Sequence, residues 1–143
     1  MRRKMLETRN WFAKQPASEG ELAEIRHALP TTLPLAYFDL LAETNGGEGP
    51  LPVNPYNFCL DPVVTVLDAF RSRNYDRPDL DGFLVFGGDG SRELIAFDMR
   101  SGLPGAIVTI DMVVGPESAE IVASNFDQFV SMLGHSSEDY RRL

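Results

Sequence analysis

Between Gly82 and Asp98 the chain reads Gly-Phe-Leu-Val-Phe-Gly-Gly-Asp-Gly-Ser-Arg-Glu-Leu-Ile-Ala-Phe-Asp, two apolar runs joined by a short turn. Short apolar runs bounded by turn residues predict buried strands, so Phe83–Phe86 is one strand and Leu94–Phe97 the next. Gly87, Gly88 and Gly90 give the connection access to positive φ, and Asp89 marks its tip as acidic and exposed. This stretch is scaffold, and the rest of the chain has to be arranged around it.

Upstream, Ser18 and Glu21 have capping-box spacing, and Leu22, Ile25 and Leu29 then recur on one helical face, which predicts a helix over 19–29 ended by Pro30. Pro34 opens a second helix whose apolar face is Tyr37, Phe38, Leu40 and Leu41, with Asn45-Gly46-Gly47 as its stop. From Glu48 to Pro62 the prolines 50, 52 and 55 cannot donate to a central ladder, so this segment is expected to be an edge strand or an ordered loop. A third helix is expected over 65–73 with Val66, Leu67 and Phe70 inward, followed by a polar connection carrying Asp76, Asp79 and Asp81. Residues 106–114 alternate as a strand, with Ile107, Thr109 and Asp111 on one face and Val108, Ile110 and Met112 on the other. Residues 118–123 suit a short further strand. A last helix is capped by Ser124 and Asp127, buries Phe126, Phe129, Val130 and Leu133, and stops at Gly134.

Helices, then strands joined by tight turns, then a helix give an α+β domain with an antiparallel meander packed against helices on one side. The expected division is an N-terminal extension over 1–18, one domain over 19–134 and a polar C-terminal tail over 135–143.

The 143 residues suffice for one core. A single cysteine, Cys59, excludes an intrachain disulfide and any multi-cysteine metal site. The start Met-Arg-Arg-Lys is basic, but Glu7, Arg9 and Asn10 interrupt any apolar run, so no export signal is expected and the protein is expected to be cytoplasmic. Net charge is −8, and residues 30–99 alone carry eleven acidic against four basic groups. Such a surface repels phosphate backbones, which argues against direct nucleic-acid binding and favours a basic protein partner.

Residues capable of chemistry are few. His27 and His135 each sit near a helix C-terminus, where an imidazolium suits the macrodipole, and neither has a partner histidine or cysteine nearby in sequence. Cys59 lies among Tyr56, Phe58 and Leu60 and is expected to pack rather than react. Gly87-Gly-Asp-Gly lacks the lysine and the following helix of a phosphate loop. The acidic run Asp76, Asp79, Asp81 lacks the ligand spacing of a calcium loop. Asp98 and Asp111 form a carboxylate pair if they meet across neighbouring strands, which keeps open a small carboxylate-dependent hydrolase. The alternative is that Asp98 accepts backbone N–H bonds and fixes the turn after its strand. No metal site, cofactor or catalytic residue is expected.

Four features in order carry a family resemblance: Leu33-Pro-Leu-Ala-Tyr37 leading to Leu40-Leu41 and Asn45-Gly46-Gly47; Phe83–Phe86 with its Gly/Asp turn; Glu93-Leu-Ile-Ala-Phe-Asp98; and Ser124-Asn-Phe-Asp-Gln-Phe129-Val130. Together they resemble the SUKH superfamily, which includes fungal cell-wall assembly regulators of Smi/Knr type and many bacterial immunity proteins. The resemblance implies an α+β domain that binds protein, and in its bacterial branch a cytoplasmic antidote to a polymorphic toxin, often a nuclease. A regulatory interaction module for an endogenous cytosolic protein is the other reading it implies. It assigns Asn45 and Gly46 to the helix-ending turn and Asp98 to a structural strand end, and it relates a tryptophan of the N-terminal region to Trp11. For the partner surface the expected residues are Glu48, Asp76, Asp79, Asp81 and Asp89, with Tyr56 and Tyr75 as aromatic anchors. The oligomeric state is left open.

Overall fold

The structure, a computed structural model, describes residues 4–143, and the basic start at Met1–Arg3 lies outside the described residues. Seven strands form one sheet: β1 Phe12–Ala13, β2 Gly47–Pro50, β3 Asn57–Leu60, β4 Phe83–Gly88, β5 Glu93–Asp98, β6 Ile107–Asp111 and β7 Glu120–Ala123. Their order in space is their order in sequence, and every neighbouring pair is antiparallel. The helices are α1 Glu19–Ala28, α2 Leu35–Glu43, α3 Val63–Arg71, α4 Phe126–Met132 and α5 Ser137–Arg141. The expected meander with helices on one side is the observed fold.

The main core lies between that helical layer and one face of the sheet. Leu22 and Ile25 of α1, Tyr37, Leu40 and Leu41 of α2, and Phe126 and Phe129 of α4 bury against Leu84, Phe86, Ile95, Phe97 and Ile107. Six aromatic rings meet at its centre. Phe86 lies 4.8 Å from Phe97, Phe58 lies 5.0 Å from Phe129, and Tyr37 approaches Phe86 and Phe97 edge-on at 5.7 Å. Each such pair adds about 0.5–1.5 kcal/mol beyond the area it buries.

Strand alternation sends the other side chains to the opposite face, where Leu80, Phe83, Val85, Ala96, Val108 and Ile110 form a second, smaller cluster. No helix of the main layer covers it. Its cover is the connection 72–82, which the sequence suggested was merely polar. Arg73, Asn74, Tyr75 and Asp76 there all have positive φ, between 54° and 65°, so this is one turn of left-handed helix made entirely of non-glycine residues. Each left-handed residue costs about 1–2 kcal/mol. Local bonds offset part of that cost: Tyr75 N–H donates to the Ser72 hydroxyl at 2.9 Å, and Asn74 Nδ2 donates to the Leu80 carbonyl at 3.0 Å.

Several local expectations are corrected. The segment 48–62 is a hairpin of two inner strands, not an edge strand or loop, because Pro50 ends β2 and Pro52 and Pro55 fall in the connecting loop. Helix α3 starts two residues early because Asn45 Oδ1 accepts from Val63 N–H at 2.8 Å, a cap supplied from a distant part of the chain. Phe70 is 41% exposed, and Ala69 takes the buried place near the end of that helix. The cap of α4 is Asn125, whose Oδ1 accepts from Gln128 N–H, rather than Ser124 or Asp127.

The end segments are also ordered by contacts. Within 4–18, Leu6 is buried, Trp11 packs on Phe58 at 6.1 Å, and Phe12–Ala13 pairs with β2. Residues 137–141 form α5, opened by a capping box of Ser136 and Asp139.

Candidate partner-binding surface

The seven residues expected at a partner surface fall into two groups. Glu48 and Asp89 stand near Cys59 on the β2–β3–β4 side, with Tyr56 at the β2–β3 loop. Tyr75, Asp76, Asp79 and Asp81 lie on the connection 72–82. Asp79 is paired with Arg77 at 2.9 Å and Asp81 with Arg73, so two of the expected acidic anchors are already neutralised. The reason is local: the arginines alternate with the aspartates in the same turn. Asp89 also does structural work, its Oδ1 accepting from Ser91 N–H at 2.8 Å and Glu93 N–H at 3.0 Å to shape the β4–β5 hairpin.

The register of the sheet relates the two groups. Glu48 lies opposite Cys59, Cys59 opposite Gly88, Gly88 opposite Leu94, and Leu94 opposite Ile110. Directly opposed residues of antiparallel strands share a face. Glu48 and Cys59 therefore lie on the same open face as the second cluster, about 14 Å and about 10 Å from Leu94 at the usual strand spacing. Cys59 does not pack into the main core as expected. Its Sγ lies 3.8 Å from Glu48 Oε2, and burial with the nearby charges of Glu48, Asp89 and Asp61 pushes the thiol up, away from the reactive thiolate.

Asp61, which the sequence did not single out, joins the groups. It follows β3, donates its N–H to the Phe86 carbonyl, and its half-buried carboxyl is pushed up to about 6 by desolvation. Its charge acts on both Cys59 and Tyr75. Among the described residues, Glu48, Asp61, Asp68, Asp76 and Asp89 make no ion pair. Of these, Glu48 is placed on the open face by register, Asp61 follows β3, Asp89 sits in the β4–β5 turn, Asp68 is on α3 and Asp76 is on the connection 72–82. The signal for Asp61 in sequence was only an aspartate between an apolar strand and a proline; its half-burial comes from packing.

Beside the connection 72–82 lies an apolar groove of about 280 Å³ lined by Tyr75, Leu80, Val85, Leu94 and Met112, with Arg77 as its one charged lining residue. Arg77 Nη1 donates to the Met112 carbonyl at 2.8 Å and ties the connection to the end of β6. Tyr75 is 60% exposed at the groove, and Val113 and Val114 beyond Met112 are exposed as well.

The other candidate groups are not assembled for chemistry. Asp98 and Asp111 lie at opposite ends of the β5–β6 pair, since Asp111 is opposite Glu93 while Asp98 N–H reaches the Ala106 carbonyl. The carboxylate pair does not form. Asp98 instead accepts from Arg100 N–H and its guanidinium at 2.9–3.0 Å, holding its carboxyl below the usual range. Asp111 accepts from the N–H groups of Val113 and Val114 and from Arg92. His135 follows α4, but among the described residues its ring makes no hydrogen bond to the end of that helix. Arg9 takes that place, donating to the Val130 and Leu133 carbonyls, and burial together with the Arg9 charge moves His135 down. Among the described residues no group of histidine, cysteine and carboxylate side chains is arranged to hold a metal ion, and no helix is long and apolar enough to cross a membrane. Asn45 and Gly46 lie just after α2, where Gly46 has φ 116° and Asn45 joins α3 to Glu21 of α1.

The sequence profile of the SMI1 / KNR4 family (SUKH-1) matches residues 16–132, from just before α1 to the end of α4. A comparison with curated proteins gave no match.

Proposed function

The chain belongs to the SMI1 / KNR4 family (SUKH-1), and from that premise we propose that it is a non-enzymatic protein-binding domain, an immunity protein that neutralises a cognate polymorphic toxin in the cytoplasm. The observation that carries this reading is the exposed apolar surface around Tyr75, Met112, Val113 and Val114, with Asp61 and Asp68, which make no ion pair among the described residues, acting on Tyr75. A basic protein domain, such as that of a nuclease toxin, is attracted to such a face over long range and held by a few desolvated anchors. No nucleic acid, membrane or cofactor is required. In this reading Glu48, Tyr56, Tyr75, Asp76 and Asp89 are the expected anchors offered to the partner, and Asp79 and Asp81 contribute less because each already has an arginine.

The test is to co-express the tagged chain with each polymorphic-toxin C-terminal domain of the same genome. A complex at equal stoichiometry, with an association rate that falls as salt rises, is the expected result. Recovery of a housekeeping protein alone would replace this reading with that of a regulatory interaction module.

A further inference from the structure

We infer that the apolar groove beside the left-handed turn is the docking site for a protruding apolar or aromatic side chain on a basic protein, with Tyr75 as its lip. This inference rests on the reading of the chain as a protein-binding domain and deepens it by naming where the partner sits. Three observations converge on the groove. Its lining is mostly apolar, from Leu80, Val85, Leu94 and Met112, and where the connection 72–82 stops covering the second cluster Met112 remains exposed. Tyr75 stands over it largely exposed, on a backbone turn that no glycine relaxes. A tyrosine held on such a turn without burial gains little for the fold, which is the pattern of strain kept at a binding surface.

Charge selects the occupant. Asp61 and Asp68 both act on the Tyr75 ring, Asp76 adjoins it, and Glu48 lies on the same sheet face. Arg77, which lines the groove, is already held by Asp79, and Arg73 and Arg92 are held by Asp81 and Asp111. A partner that fills the groove therefore meets uncompensated negative charge on its rim, which a basic surface complements. A second copy of this chain, with its own net charge of −8, does not.

The experiment is a methyl and aromatic NMR titration of the full chain with three short synthetic peptides: a lysine-rich peptide with one central phenylalanine, the same peptide with serine in its place, and a glutamate-rich peptide with the phenylalanine. The lysine/phenylalanine peptide is expected to shift the Val85, Leu94 and Met112 methyls and the Tyr75 ring, and the other two to bind roughly tenfold more weakly or not at all. Tyr75→Gly suits the positive φ, so it should melt no lower than the parent chain while losing roughly tenfold in affinity for the first peptide. Equal binding of the glutamate-rich peptide, shifts confined to other surfaces, or no shifts would overturn the inference. So would a marked fall in melting temperature for Tyr75→Gly, which would make the tyrosine a packing residue. Concentration-dependent shifts of the same methyls without peptide would assign the groove to a second copy instead. A cognate toxin that binds Tyr75→Gly as tightly as the parent chain refutes the groove and leaves the antidote reading standing. Peptide shifts without any toxin partner do the reverse.

Discussion

The guanidinium of Arg9 donates to the carbonyl of Leu133 at 3.1 Å, and to that of Val130, joining the start of the described chain to the end of the last core helix. The last carbonyls of a helix have no intrahelical donor, and a cation there satisfies them and the macrodipole together. Gly134 N–H meanwhile donates to the Pro50 carbonyl and Asn10 N–H to the Gly134 carbonyl, so the N-terminal segment, the β2–β3 hairpin and α4 meet at one point.

Arg9→Ala is therefore expected to lower stability by about 1.5–3 kcal/mol, the range for a hydrogen bond to a charged group. Urea unfolding at neutral pH measures it. A loss below a few tenths would mean that the N-terminal segment contributes no fixed contact to α4.

Gly87 lies opposite Leu60, and a Cβ there would press on the Cys59 carbonyl oxygen and the Phe58 ring. Backbone and a buried ring have no room to yield. Gly87→Ala should cost about 3 kcal/mol, at the upper end for overpacking a core. An unchanged thermal midpoint would show that the β3–β4 pair can separate freely.

The Asp61 carboxyl, pushed up from 3.8 to about 6 by desolvation, makes stability depend on pH. Below about pH 4 it is protonated whether the chain is folded or not, and it costs nothing. As pH rises from about 4 to 6 the unfolded chain releases the proton while the folded chain keeps it, so stability falls. Above about 6 the folded chain carries a desolvated charge, at a cost of about 2–3 kcal/mol. Asp61→Asn should be more stable than the parent at pH 8 by that order and nearly equal to it at pH 4. Denaturant titrations at both pH values decide this, and a variant less stable at pH 8 would show that the carboxylate has a stabilising partner.

The Tyr37 hydroxyl is fully buried and, among the described residues, no protein group hydrogen-bonds to it. Its ring makes the aromatic contacts; its oxygen carries only a desolvation cost. Tyr37→Phe is expected to leave stability unchanged or raise it by about 1 kcal/mol. Calorimetry would contradict this if the midpoint fell by several degrees.

Much of this architecture was legible in local sequence. Strands β4 and β5, the faces of β6, the helix opened by the Ser18–Glu21 capping box, and the buried face Tyr37, Phe38, Leu40 and Leu41 all rest on periodicity and capping, which act over a few residues. The family resemblance followed from the same positions. What stayed hidden depends on partners far away in the chain. The prolines of 48–62 concealed two inner strands because the strand that covers β2 comes from Phe12–Ala13. The start of α3 is set by Asn45, and the end of α4 by Arg9 rather than His135.

The candidate surface divides in the same way. Sequence determined that the chain is acidic in its middle, that Tyr75 stands among aspartates, and that alternating strands must present two faces. Only the tertiary structure decided which carboxylates remain unpaired, because Arg73 and Arg77 turn back onto Asp81 and Asp79 while Glu48 and Asp61 find no cation among the described residues. It also decided that Glu48 and Leu94 share a face, since register across four strands depends on every turn between them. Charge content is a property of residues; charge convergence is a property of the register and packing that bring distant residues together.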